Sequence, residues 1–390
     1  MTLNAEPNTR SSDRKKIAVW YPGFMGGGAE AVALWMLEAL KDKYDLTLFT
    51  IAAIDLERMN AMYGTHLSSE LIKVEYLTPE RLTSAVHFAI ANFPAARKLS
   101  FHLLIRAFKA VARNYDLAIS AYNATDLGCP GIQYIHWINV VEGNLLYQQL
   151  SKFSLDRLKS NTSLSNSCYT ADRVKKEYGI DSTVVYPPVL LEPRSIPWEE
   201  KEDAFICSGR LTSAKEPHRV IEILSQVRQQ GFDLKLYLTG GGGGVYASKY
   251  KRFLQKFIEE NSDWVTVYED LKYKDYIEVV SRCKYGIHYK KEPFGISIAE
   301  MLKAGAIPFV RSKGGQIEIV GTENSDLLFD DAKDGVSKIV NVLKDSERQQ
   351  QLRAALHERK SIFSAQRFMT ETQRAVAEHL AGNLLSPRNS

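Results

Sequence analysis

The chain has 390 residues, 45% of them hydrophobic and 25% charged, with 50 basic against 46 acidic side chains for a formal charge of +4. This composition excludes a disordered segment, a collagen-like repeat and a small disulfide scaffold, and the length predicts two domains. So balanced a charge also excludes a dedicated nucleic-acid binder, whose phosphate contacts need a basic surplus.

In chain order, a polar amino terminus without the apolar run of a signal peptide comes first, and no stretch reaches the ~18 apolar residues of a spanning helix. Short apolar runs predict strands at 17–21, 46–50, 72–76, 117–120, 133–136 and 184–186, with helices such as 29–40 between them. Residues 186–203 hold four prolines among charges and read as a linker. A second strand series follows at 204–207, 234–238, 265–268, 285–289, 307–310 and 327–329. The tail from about 364 reads as a helix with Phe368, Val376 and Leu380 on or near one face. Alternating strands and helices predict an α/β chain of two Rossmann-like, doubly wound parallel sheets facing a central cleft. The expected divisions are an amino-terminal domain at 1–188, a carboxy-terminal domain at 189–363, and a final helix at 364–390 packing back on the first. Cys129, Cys168, Cys207 and Cys283 include no C-x-x-C pair, which fits a reducing compartment and predicts a cytoplasmic protein.

Chemistry concentrates just after predicted strands. The segment EPFGISIAE, 292–300, opens a helix, and Pro293 suits an early helical position. The amides of Phe294, Gly295, Ile296 and Ser297 would then be free donors at the positive end of the helix dipole, an anion site. Glu292 and Glu300 flank it and can accept hydroxyl hydrogen bonds, a set suited to a polyhydroxylated phosphate ester. In SGRLTSAK, 208–215, Gly209 ends a strand, and Arg210 and Lys215 pair a planar fork with a point charge, as a diphosphate requires; the alternative is a surface pair at a helix start. Near the amino terminus, Gly26, Gly27 and Gly28 permit close backbone approach before a helix. They match G-x-G-x-x-A through Gly26, Gly28 and Ala31, but no acidic residue ends the second strand to bind a ribose. His136 closes a strand in GIQYIHW, and Thr239–Gly244 reads as a mobile loop.

No D-x-D, G-x-S-x-G or H-E-x-x-H occurs, so the reading needs no metal and no cofactor. Residues 81–115 carry Arg81, Arg97, Lys98, Arg106, Lys109 and Arg113 with no acid, a local +6 that leaves −2 elsewhere. His102, Arg106, Lys109 and Arg113 share a helical face opposite Phe101, Leu104, Ile105 and Phe108. Arg106, Lys109 and Arg113 are therefore candidates for contact with an anionic membrane; a core-packing helix with a basic solvent face is the alternative.

With these residues placed, the chain resembles glycosyltransferase family 4, retaining nucleotide-sugar-dependent enzymes of the GT-B fold. SGRLTSAK, the glycine loop, EPFGISIAE, AEMLKAGAIPFV and SKGGQIEIV carry the resemblance in order. GGGAE, YIHW and residues 166–188 are more particularly similar to mannosyltransferases that elongate lipid-linked oligosaccharides. The resemblance implies that Arg210 and Lys215 neutralise a departing diphosphate, that Glu300 binds the ribose, and that Glu292 with the Phe294–Ile296 backbone holds the donor sugar. Gly27 and Gly28 would border acceptor and diphosphate, and His136 would touch donor sugar or acceptor. Lys215 is followed by Glu216–Pro217 where the family has glycine or asparagine. The implied partners are a GDP- or UDP-sugar, mannose favoured, and a glycan or lipid-linked acceptor. A nucleotide-sugar epimerase of the same fold and a non-catalytic sugar- or lipid-binding module remain open at this point.

Overall fold

A computed structural model describes residues 14–24, 27–51, 54–78, 93–140, 145–241 and 248–382. Of these, the residues up to Ile135, Asn139–Leu164 and those from Met369 onward form one compact unit, and His136–Ile138 with Ser165–Phe368 form a second.

The strands β1 (Lys16–Trp20), β2 (Asp45–Thr50), β3 (Ile72–Tyr76), β4 (Leu117–Ser120), β5 (Ile132–Ile135), β6 (Thr162–Ser165) and β7 (Thr183–Val184) form a sheet of order 3-2-1-4-5-6-7. In the second unit β8 (Glu202–Ser208), β9 (Lys235–Thr239), β10 (Val265–Tyr268), β11 (Cys283–His288), β12 (Ile307–Arg311) and β13 (Leu328–Phe329) form a sheet of order 10-9-8-11-12-13. The pairs β1–β2, β1–β4, β8–β9 and β8–β11 are parallel. Buried runs such as AFICS in β8 and the first four residues of β12 explain why these segments are central strands, covered on both faces. Phe205, Phe309 and Phe329 are fully buried in the second core, each worth about 1.5–3 kcal/mol of transfer free energy.

Both sheets reverse direction beside their first strand, between β1 and β4 and between β8 and β11. Ligands of doubly wound sheets bind at such a reversal, outside the carboxyl ends of the strands. In the second unit that places the loop after β8, containing Gly209–Lys215, beside the loop after β11, containing Glu292.

Two sequence expectations change. Residues 186–203 are packed rather than free: Val189 and Leu191 are fully buried, and Val189 N donates to Phe363 O at 3.1 Å. Strand β6 has no apolar run to announce it, since its buried Ser163 and Ser165 are satisfied by Gln133 and Ser182. The helix α1 (Gly28–Leu40) starts where expected, with α2 (Leu56–Tyr63) following β2, and Gly26 of the glycine run lies outside the described residues. Within the first unit, residues of the last helix, Ala365–Leu380, bond to its other segments: Gln373 Nε2 donates to Ala39 O at 2.6 Å, and His379 Nδ1 and Thr162 Oγ1 share a 2.8 Å hydrogen bond.

The basic segment requires the largest correction. Arg81 lies outside the described residues, as does the side chain of Arg97. Of the three membrane candidates on helix α3 (Pro94–Ala112) and its cap, Arg106 and Arg113 are exposed, but Lys109 is buried. Its ammonium donates to Asp126 Oδ2 at 2.7 Å and to the carbonyls of Ser151 and Lys152. The reason is that α3 is covered on a second side by helix α4 (Leu145–Ser151), where Tyr147 also stacks on the buried His102 at 5.1 Å. Asp126 holds both Lys109 and a bidentate Arg157. Burial alone would raise its carboxyl pKa, but the hydrogen bonds from Arg157 and Lys109 outweigh it and hold the value low.

Candidate functional site

The site of the second unit is built on two loops. Strand β8 ends at Ser208, and Gly209 follows at φ 146. Only glycine fits next door at Gly240, where a Cβ would lie 1.9 Å from Gly209 O. The turn presents Arg210 outward, exposed and without an ion pair among the described residues. Lys215 comes next on the same loop, and Glu216 follows in the left-handed conformation, φ 51 and ψ 45, before the helix Pro217–Arg228. Glu216 thus occupies the backbone geometry that glycine or asparagine adopts most readily, and its carboxylate pairs with Lys290 at 3.0 Å.

Across the sheet reversal, Glu292 meets Lys215. The Lys215 ammonium donates to Glu292 Oε1, and His288 Nε2 lies 3.0 Å from the same oxygen. Burial would raise the Glu292 pKa, but the hydrogen bond and charge of His288, together with Lys215, keep it below the usual range. The backbone of Glu292 is fixed as well. Its N–H donates to Gln316 Oε1 at 2.6 Å, and its carbonyl accepts from Gly315 N at 2.9 Å.

The helix behind this loop, Ile296–Lys303, starts later than the sequence predicts. Gly295 at φ 109 is its N-cap, so Pro293, Phe294 and Gly295 precede it. Phe294 buries its ring against Tyr186 and Phe363 and so offers only backbone. Ile298 N and Ala299 N bond back to Gly295 O, leaving Ile296 and Ser297 as the free amides of the helix start. Further along the helix, Glu300 ends a hydrogen-bonded row: Thr239 Oγ1 donates to Ser208 Oγ at 2.8 Å, Ser208 bonds the Tyr276 phenol, and Tyr276 Oη donates to Glu300 Oε2 at 2.9 Å. Burial pushes the Glu300 pKa up to about 7, against smaller opposing effects of Tyr276 and Lys303. The arrangement offers cations and helix amides for an anion, and two carboxylates for hydroxyl groups.

In the first unit, Gly27 is the N-cap of α1 with open space beside it. Gly27 N donates to Tyr63 Oη at 3.0 Å, and Tyr63 Oη donates to the buried Glu30 at 3.0 Å. His136, which belongs to the second unit, follows β5, is buried, and its carbonyl accepts from Asn166 Nδ2 at 2.8 Å.

Residues 191–359 match the family model described as Glycosyl transferases group 1. That segment, under half of the chain, is similar to the group 1 glycosyl transferases. A GDP-Man:Man(3)GlcNAc(2)-PP-Dol alpha-1,2-mannosyltransferase of Dictyostelium discoideum is 23% identical over 242 residues, which cover 58% of this chain and 48% of that protein. The match thus spans about half the length of that curated relative. HepE of Anabaena, in complex with UDP and glucose, superimposes with a TM-score of 0.67 at 16% identity, covering 94% of this chain and all of that one. Sucrose-phosphate synthase of Thermosynechococcus elongatus gives 0.68 at 16% identity, covering 95% and 100%. WaaG, a glycosyltransferase involved in lipopolysaccharide biosynthesis, gives 0.63 at 12% identity, covering 94% and 100%. The fold is GT-B, with two parallel-sheet α/β units.

Within the second unit, sequence reasoning singled out Arg210, Lys215, Glu292 and Glu300 but missed four residues that hold them. His288 reads as one more core residue at a strand end. Tyr276 sits mid-helix with no motif around it. Gln316 is fully buried and donates to Lys290 O and Arg311 O while accepting from Glu292. Gly315 stands where a Cβ would lie 1.9 Å from Pro293 O. Gln316 and Gly315 had a signal, the GGQ of SKGGQIEIV, but its meaning depends on the loop at Glu292, 24 positions from Gln316.

Proposed function

We propose that this chain is a retaining glycosyltransferase that moves a hexose, mannose favoured, from a nucleoside diphosphate sugar to a glycan or lipid-linked acceptor. The observation that carries the reading is the meeting of Lys215 and Glu292, 77 positions apart, at the sheet reversal beside a free helix start. Mannose and a lipid-linked acceptor are supported by the name of the Dictyostelium relative. UDP in the HepE complex supports a uridine donor as the alternative.

In this reading the diphosphate lies against Arg210, Lys215 and the amides of Ile296 and Ser297. An ammonium has three donors, so Lys215 can keep Glu292 and still reach a phosphate oxygen. Glu292 accepts from the sugar hydroxyls and Glu300 from the ribose, while Gly27, Gly28 and His136 serve the acceptor and transferred sugar. The acceptor oxygen bonds to the anomeric carbon on the face from which the diphosphate departs. The bond from that carbon to the phosphate oxygen breaks, and the acceptor proton passes to the departing diphosphate. Arg210 and Lys215 stabilise the charge that develops there.

A cytoplasmic location with peripheral contact at an anionic membrane belongs to the same proposal. Exposed Arg106 and Arg113 support it, with exposed Leu99 and Leu103 on the same helix and Leu145 and Leu146 on its neighbour. Among the described residues no helix is long and apolar enough to cross a membrane.

Thermal melts with GDP, UDP and ADP identify the base, since ligand at about 100 times its Kd stabilises by about 2.7 kcal/mol. Transfer of labelled mannose from GDP-mannose to a lipid-linked oligosaccharide then tests the chemistry. Wild type should transfer, and Lys215→Ala should not while melting normally. Full activity in Lys215→Ala, or failure to bind any of the three nucleotides, overturns the assignment.

A further inference from the structure

The second sheet has another built feature at its opposite edge. Lys201 directly precedes β8 and Ala306 directly precedes β12, so both mark the amino ends of strands, whereas Gly209 and Glu292 follow carboxyl ends. Strand β8 has seven residues, which at about 3.3 Å each separates the two edges by about 20 Å. There a cavity of about 530 Å³ is lined by Arg194, Lys201, Lys303, Arg353, His357 and Lys360, among apolar residues that include Ile196, Trp198 and Leu302, and no Asp or Glu lines it.

These cations are not explained by ion pairs. Arg194 bonds Glu278, and Lys303 is partly offset by Glu192 and Glu300. Lys201, Arg353 and Lys360 have no carboxylate partner among the described residues. Lys201 is buried and donates to the carbonyls of Ser281, Cys283 and Ala304, which takes all three of its N–H donors, and Lys303 donates to Val189 O. The Arg353 guanidinium lies over the Trp198 ring at 4.4 Å, which leaves its N–H edge available. Two helices end at the cavity, Ile296–Lys303 and Ser346–Arg359, and a helix carboxyl end carries about half a negative charge. Together they supply about −1 against three uncompensated positive charges. Burial lowers the pKa of Lys201 to about 8, with Lys360 and Arg353 adding to the effect, as expected of cations crowded without a counter-charge.

We propose that this cavity is a second ligand site, separate from the donor site, for a soluble organic molecule carrying two or more phosphate groups. The volume fits a small metabolite. The apolar wall and Trp198 fit its carbon frame, and Arg353 and Lys360 fit its phosphates, with the buried Lys201 adding charge from behind. The proposal is independent of the glycosyltransferase reading, because it uses none of the residues assigned to the donor.

Calorimetric titration of the full chain with fructose 1,6-bisphosphate at fixed salt tests it. Wild type should bind, the Arg353→Gln/Lys360→Gln double variant should weaken binding at least tenfold, and Lys344→Gln at an exposed lysine elsewhere should stay within twofold. Arg210→Gln separates the sites: it should leave this binding in place even where it removes nucleotide binding. Lys360→Gln alone, checked by its melting curve, serves if the double variant does not fold. Vesicles containing phosphatidylinositol 4,5-bisphosphate form a second arm, and retention there that depends on Lys360, with no response to the soluble probe, overturns the soluble-ligand assignment. No binding by wild type, loss caused by Arg210→Gln instead, or equal losses with Lys344→Gln overturn the site itself.

Discussion

Glu300→Gln should stabilise the fold while weakening donor binding, and both magnitudes follow from the environment of one carboxyl group. Burial raises its pKa from 4.5 to about 7, worth about 3 kcal/mol at about 1.4 kcal/mol per pH unit. The native state favours the neutral form, so between these pH values the folded chain binds more protons than the unfolded one. Wild-type stability should therefore fall as pH rises through that window and level off above it. Glutamine keeps an oxygen for the Tyr276 hydroxyl, which donates at 2.9 Å, but never has to be ionised. Urea unfolding should show the variant ahead of wild type by about 1 kcal/mol at pH 5 and about 3 kcal/mol at pH 8. In the same variant a nucleotide should bind roughly 10- to 100-fold more weakly, the worth of a lost charged hydrogen bond of about 1.5–3 kcal/mol. A stability difference that does not grow between pH 5 and pH 8 would refute the electrostatic argument. Unchanged nucleotide affinity would refute the ribose assignment alone.

Two further perturbations test local features. Lys109→Met should cost about 3 kcal/mol in urea unfolding, the low end for breaking a buried pair, because Arg157 still holds Asp126; a neutral effect together with loss of vesicle binding would restore Lys109 as a membrane contact. Glu216→Gly should be about 1 kcal/mol more stable than Glu216→Ala, since both lose the Lys290 pair but only alanine keeps the left-handed strain at φ 51; equal melting temperatures would show that the turn relaxes without cost.

What could be read from the sequence was whatever the local pattern decides. Strands β3, β4 and β10 have the bounds that their runs predict, because each run is bounded by turn residues and pairs in register with a neighbour. The positions of Arg210, Lys215 and Glu292 after their strands were legible for the same reason. Burial of Lys109 was not, because helical periodicity sorts a helix into two faces and α3 is covered on a second side by α4. Strand β6 stayed hidden because polar side chains satisfied by Gln133 and Ser182 can be buried without any apolar signal. The late start of the helix Ile296–Lys303 has a non-local cause too. Glu292 and Pro293 are tied to Gln316, Gly315 and Ser167, which hold them outside the helix.

That tie assigns a physical role to the SKGGQIEIV segment. A Cβ at Gly314 would lie 2.5 Å from Glu292 O, and one at Gly315 would lie 1.9 Å from Pro293 O, so the two glycines let one loop lie directly against the other. Gln316 then spans the gap with three hydrogen bonds from a fully buried side chain. Two residues on, the Glu318 carboxylate accepts from Cys168 N and Tyr169 N at 2.8 Å each and from Tyr186 Oη at 3.0 Å, occupying the start of the helix Cys168–Tyr178. This is where a negative charge satisfies free amides and the helix dipole together. Ser167 Oγ, one residue before that helix, donates to Pro293 O at 2.6 Å. The residues 314–318 therefore act through position: they fix the backbone on which Glu292 reaches Lys215 and His288. Supports of this kind matter because a charged site loses its effect when its groups move by about an ångström.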